Sequence, residues 1–275
     1  MWDDYFLGKR EHHITLPGLP FFLKFRFHSN ILEEAHLLQY AAKVLEGEKV
    51  KVPKVYCAFT EDECQYVLME KVKGERLSQN WDSLSSKQLR EVIEKVHRAV
   101  LCMQRNQKTE VCGLEGGAVF HTNFPNPRDY DDRCIGPYSN VADFYSLLLN
   151  RLKPKDSYKS DPQRAATFDH EFLRSSWYSQ VTNFSHGDLG PKKIMVDKKG
   201  IVTITGWKCA GWWPEWVENY MSSRYNSVNG CDNYGAWQQK EMYWEDMKLI
   251  VDEIVPAKKS EQDMIRKLMS FFYDS

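Results

Sequence analysis

The chain has no disulfide framework, no dominant charge of one sign and no long apolar run. Its seven cysteines are an odd number scattered over 275 residues. None stand as a C-x-x-C pair, so neither a disulfide scaffold nor a zinc site is expected. Lys and Arg total 37 against 38 Asp and Glu; a charge so near zero gives no overall field to draw in nucleic acid. No window approaches the roughly 18 consecutive apolar residues of a membrane span. Met1 to Arg10 lack the basic start and apolar stretch of a secretion signal, so a cytoplasmic protein with neither membrane nor nucleic-acid partner is expected. Repeats and low-complexity tracts are also missing. Aromatics are plentiful, with nine Trp, which suits a rigid apolar pocket for a small molecule.

Periodicity places the elements. Phe21, Leu23, Phe25 and Phe27 alternate with Phe22, Lys24 and Arg26, which predicts a strand over 21–27. His13–Leu16 is a partner strand, turned by Pro17-Gly18. Asn30 and Glu33 have capping-box spacing, and Leu32, Ala35, Leu38, Ala42 and Leu45 form a helical stripe that Gly47 ends. Strands follow near 54–59 and 65–69, around a turn at 60–63. After Gly74 helices dominate: one from Ser85 with Leu89, Val92, Ile93, Val96, Val100 and Met103 inward, one over 141–152, and a last one from Ser260. A hairpin is expected from 193–197 and 201–205 around Lys198-Lys199-Gly200.

The chemistry concentrates at that hairpin. As bare residues, His186-Gly187-Asp188-Leu189 makes an ordinary turn. In context it reads Phe184-Ser185-His186-Gly187-Asp188-Leu189-Gly190-Pro191-Lys192-Lys193-Ile194-Met195-Val196-Asp197, followed by Gly206-Trp207-Lys208-Cys209-Ala210-Gly211-Trp212-Trp213-Pro214. This resembles the phosphotransferase enzyme family of aminoglycoside and choline kinases, in its fungal-type branch. That branch carries H-G-D-L-x-x-x-N-I-L-V-D and then I-D-W-E-x-A-G-x-x-P. Val52-Pro53-Lys54-Val55, the Met69-Glu70 to Leu77 stretch and Gly136-Pro137-Tyr138 extend the likeness over about residues 20 to 250.

The resemblance implies an α+β, two-lobed protein-kinase-like fold. Residues 1–69 would form a small lobe of antiparallel sheet plus one helix, and 70–275 a larger, mainly helical lobe. It implies that Asp188 is the catalytic carboxylate, with His186 beside it. Lys24 would be the phosphate-pairing lysine, with Glu34 (or Glu33, one register away) its helix partner. Met69 and Glu70 would form the hinge beside the ligand.

Two departures stand against that pattern. Lys193 occupies the position of the metal-binding Asn, and Gly206 that of the metal-binding Asp. Magnesium requires hard oxygen ligands in octahedral geometry. A lysine about 4 Å from a cation opposes it by roughly 4 kcal/mol per unit charge at an effective dielectric of about 20. No G-x-G-x-x-G precedes Lys24. The chain is therefore expected to hold no metal and to need no cofactor, with ATP and Mg entering only if it is an active phosphotransferase with an atypical metal site. Lys193 reads either as an ammonium in the metal's place, paired with Asp188, or as part of a solvated basic turn. Trp207 and Trp212 read either as liners of a cavity opened by Gly206 or as packing of the large lobe. Three functions follow: acid/base chemistry on a small molecule without phosphoryl transfer, binding without turnover as a pseudokinase, or phosphoryl transfer after all. Oligomeric state, substrate and product are not legible in the sequence.

Overall fold

The computed structural model describes residues 12–15, 17–27, 31–121, 134–152, 180–223 and 244–256. The expected helix from Ser260, the Asn30 cap and the polar stretch at 153–163 lie outside these residues.

The N-terminal sheet runs β1-β2-β5-β4, all antiparallel. It is built from β1 (His12–Thr15), β2 (Phe21–Phe27), β4 (Val55–Glu61) and β5 (Cys64–Glu70). The alternation in β2 has its expected consequence. Lys24 lies opposite Val67 on β5 and is buried, on the face that receives helix α1 (Ile31–Val44). The other face carries a ladder of stacked rings at registered positions, His12 on Phe25, Phe25 on Tyr66 and Phe59 on Tyr66. The β4–β5 turn places Asp62 and Glu63 at positive φ, the handedness that suits a tight hairpin.

The chain then enters its helical part through Gly74. A Cβ there would run into the carbonyl of Val196, so only glycine permits the close approach. A second sheet runs β3-β12-β11-β6, made of β3 (Val50–Lys51), β6 (Glu75–Arg76) and the hairpin β11 (Ile194–Val196) and β12 (Val202–Ile204). The hairpin is thus flanked on both edges by strands from early in the chain, which pair with it beside its turn.

Helices α2 (Leu77–Asn80) and α3 (Ser86–Gln104) follow. Ser85 and Gln88 close a reciprocal capping box at the start of α3, satisfying N–H groups that the first turn leaves unpaired. Its buried stripe is Val92, Ile93, Val96, Ala99, Val100 and Met103. Short strands β7 (Gln107–Lys108), β8 (Val119–Phe120) and β9 (Cys134–Ile135) precede α4 (Val141–Leu152). A third sheet orders β13-β10-β7, with β10 (Thr182–Ser185) and β13 (Gly211–Trp213), and helices α5 (Glu215–Ser223) and α6 (Trp244–Ile254) close the described chain. A single cluster of buried side chains runs from α1 through β5, α3 and the hairpin to α6. No described helix is long and apolar enough to cross a membrane.

Candidate active site

The His186–Leu189 loop links β10 to the hairpin, and its backbone is gripped from below. Gly187 adopts φ +74, and an added Cβ would overlap the Cys209 carbonyl. Glu218, on α5 and 1% exposed, accepts the Gly187 N–H at 2.9 Å on Oε2 and the Leu189 N–H at 3.2 Å on Oε1. Burial pushes its carboxyl up to about 7, against the lowering effect of these N–H groups, and the charge of Asp188 adds to the rise.

His186 is fully buried beneath the ring of Trp207. Its Nδ1 accepts the Asp188 N–H at 3.2 Å, which leaves Nε2 as the protonated nitrogen donating to the Thr205 carbonyl at 3.0 Å. Desolvation pushes the imidazole down to about 3. A neutral ring engaged at both nitrogens orients the loop and supplies no positive charge to Asp188.

Lys193 places a cation beside Asp188. Its Nζ lies 3.2 Å from Asp188 Oδ2, with the lysine side chain 28% exposed and the aspartate 6%. Of the two readings of Lys193, the ion pair is the one that forms. Across the hairpin, Thr205 donates its N–H (2.9 Å) and its hydroxyl (3.1 Å) to the Lys193 carbonyl. The next residue, Gly206, sits at φ +79, the left-handed region that favours glycine.

A second ion pair joins Lys24 and Glu34, both buried. The register of α1 thus puts Glu34 on Lys24. The first helical turn after Gly206, Trp207–Cys209, packs against α1. The charges of Asp188, Lys193 and Glu34 all act on the buried Cys209 thiol, which desolvation pushes far up. The Asp188 loop, through Gly187 against the Cys209 carbonyl, and helix α1 thus both pack on one turn.

The other expected site residues are Met69, Glu70, Trp207 and Trp212, of which Trp207 lies against His186. Met69 and Glu70 end β5; Met69 is buried, and Glu70 Oε2 accepts the Lys54 N–H at 3.3 Å. Trp207 is fully buried, parallel to Phe184, and donates Nε1–H to the Ile204 carbonyl. Trp212 is 4% exposed, packed on Tyr40 and Phe184 and covered by the Lys108 ammonium at 3.6 Å. Both rings belong to the buried apolar cluster. Glu218 and Thr205 had no sequence signal of their own. One is an acid on an amphipathic helix, the other a strand-end threonine, and only tertiary contact makes them loop-holding groups.

Sequence models of known families match this chain over residues 6–234, and the matching model is that of the phosphotransferase enzyme family. The chain belongs to that family. No curated protein sequence matches it. Among solved structures, this family member is similar to a thermostable mutant of aminoglycoside phosphotransferase APH(4)-Ia in its apo form, at 14% identity and a TM-score of 0.56. The match covers 96% of this chain and 80% of that one. A ternary complex of the same enzyme with ADP and hygromycin B gives 13% identity, coverage of 96% and 80%, and a TM-score of 0.55. A protein from Haemophilus somnus 129PT, provisionally named a fructosamine-3-kinase, gives 14%, 96%, 91% and 0.51. At such identities the likeness establishes the fold, which is α+β and two-lobed like the kinases.

Proposed function

We infer that this family member no longer transfers phosphate from Mg-ATP and uses its cleft for acid/base chemistry on a small molecule, with Asp188 handling the proton. One observation carries the reading: the Lys193 ammonium stands 3.2 Å from Asp188 Oδ2, opposite a glycine, where the family pattern puts oxygen donors. Among the described residues, the groups placed at those positions are one carboxylate, one ammonium and one bare backbone. They do not fit a magnesium ion, which takes several hard oxygens and is repelled by a fixed positive charge. Among the described residues no group of three or more His, Cys, Asp or Glu could hold a metal. The branch assignment, fungal-type, rests on the H-G-D-L and A-G-x-x-P segments.

A positioned carboxylate needs no metal to move a proton. In this reading Lys193 balances the Asp188 charge, His186 and Glu218 hold its loop, and the Lys24–Glu34 pair is inherited scaffold on the small-lobe side. The related aminoglycoside phosphotransferase has been captured with ADP and hygromycin B, which supports a small-molecule ligand for the cleft inherited here. The ion pair also favours a second reading, binding without turnover, since a lysine that balances a buried aspartate needs no catalytic role.

The test is turnover of a metabolite extract by purified protein in EDTA, without ATP, followed by mass spectrometry. Conversion lost in Asp188→Asn is the expected result. Binding by calorimetry with no conversion favours the pseudokinase reading. Mg-dependent ADP release with an acceptor overturns both in favour of phosphoryl transfer.

A further inference from the structure

The two departures from the family pattern are one interlocked unit. A Cβ built on Gly206 would lie 3.0 Å from Cδ, 3.4 Å from Cε and 3.2 Å from Nζ of Lys193. The outer half of the lysine side chain therefore lies across the space that a side chain at 206 would need. The same Nζ is 3.2 Å from Asp188 Oδ2. The main chain that carries the lysine is fixed: its N–H donates to the Gly190 carbonyl at 2.8 Å, and its own carbonyl takes both donors of Thr205.

We propose that Lys193 is a tethered cation that excludes divalent metal from this cleft, and that Gly206 is bare because the lysine stem occupies its side-chain space. The proposal rests on the reading that the cleft works without a divalent ion, and it names the residue that determines this. Lys193 keeps the charge balance of Asp188 without a loosely bound ion. Installing a carboxylate at 206 alone would set it against the lysine, in a backbone region that L side chains rarely adopt, and would give an Asp–Lys pair. Removing the lysine alone would leave too few oxygens. Only the double change, Lys193→Asn with Gly206→Asp, places three oxygen-bearing side chains around one point.

The experiment titrates Mn2+ into wild type, Lys193→Asn, Gly206→Asp and the double variant, and reads free Mn2+ by electron paramagnetic resonance. Uptake at least tenfold tighter in the double variant than in the other three is expected. Wild type binding as tightly as the double variant, or Lys193→Asn gaining as much as the double, overturns the proposal. So does a folded double variant that gains nothing. Should the double variant fail to fold, Gly206→Ala is compared in wild-type and Lys193→Ala backgrounds. A larger drop in unfolding midpoint when Lys193 is present supports the interlock, and an equal drop overturns it. Wild type that excludes Mn2+ yet converts no metabolite leaves the tethered cation standing and sinks only the acid/base reading.

Discussion

Asp188 owes its place to neighbours that never touch its carboxylate. His186 takes its N–H, and Glu218 takes the N–H groups on either side. These two buried groups titrate in opposite senses. His186 stays neutral down to about 3 instead of its ordinary 6.5; its contribution to stability is full above 6.5 and is lost as pH falls towards 3. Glu218 rises from 4.5 to about 7; its contribution is full below 4.5 and is lost as pH rises to 7. Between 4.5 and 6.5 the two slopes offset. Glu218→Gln removes one of them, so relative to wild type the unfolding free energy of the variant should climb by about 1.4 kcal/mol per pH unit across that window. Urea unfolding at several pH values measures it; parallel profiles would refute the opposition. The Lys24–Glu34 pair is the other residue-scale test. Lys24→Met leaves a buried carboxylate alone and should cost about 3–5 kcal/mol, and adding Glu34→Leu should return most of it. Equal losses in single and double variants would mean the pair is not coupled.

Among the described elements, the β10–β11 loop has a tightly constrained backbone. Gly187 and Gly200 both have positive φ, +74 and +71, but nothing lies within 4 Å of a Cβ at Gly200, whereas one at Gly187 meets the Cys209 carbonyl. Gly200→Ala should therefore cost only the backbone term, about 1 kcal/mol. Gly187→Ala should cost clearly more and displace Asp188, seen as a lower melting temperature and loss of any Asp188-dependent turnover. Similar melting temperatures for the two variants would remove Cys209 from the account. The hairpin itself was legible from two β-prone runs flanking Lys198-Lys199-Gly200, and its register, which pairs Ile194 with Ile204, brings Lys193 and Gly206 into one neighbourhood. The stripe of α3 and its Ser85 start were legible for the same reason, a clean 3.6-residue period.

Across the whole molecule, one apolar cluster joins α1 and β5 to α3, the hairpin and α6. Fluorescence and circular dichroism should then report coincident thermal transitions, unmoved by exchanging magnesium for EDTA. Separate transitions would mean that the lobes melt independently. A magnesium-dependent rise would mean that oxygens outside the Asp188 group hold the ion.

Local pattern determined β1, β2, β4, β5, the hairpin and helices α1, α3 and α4, since periods of two and 3.6 residues and turn chemistry are written in neighbouring positions, whereas the meaning of the motif loop came from its family resemblance. Tertiary packing alone decided that His186 is neutral, that Trp207 and Trp212 are core, and that Glu218 grips a loop some thirty residues away. Desolvation and contact arise only when distant segments close around a group. The same closure turned Lys193 from a basic turn residue into the partner of Asp188.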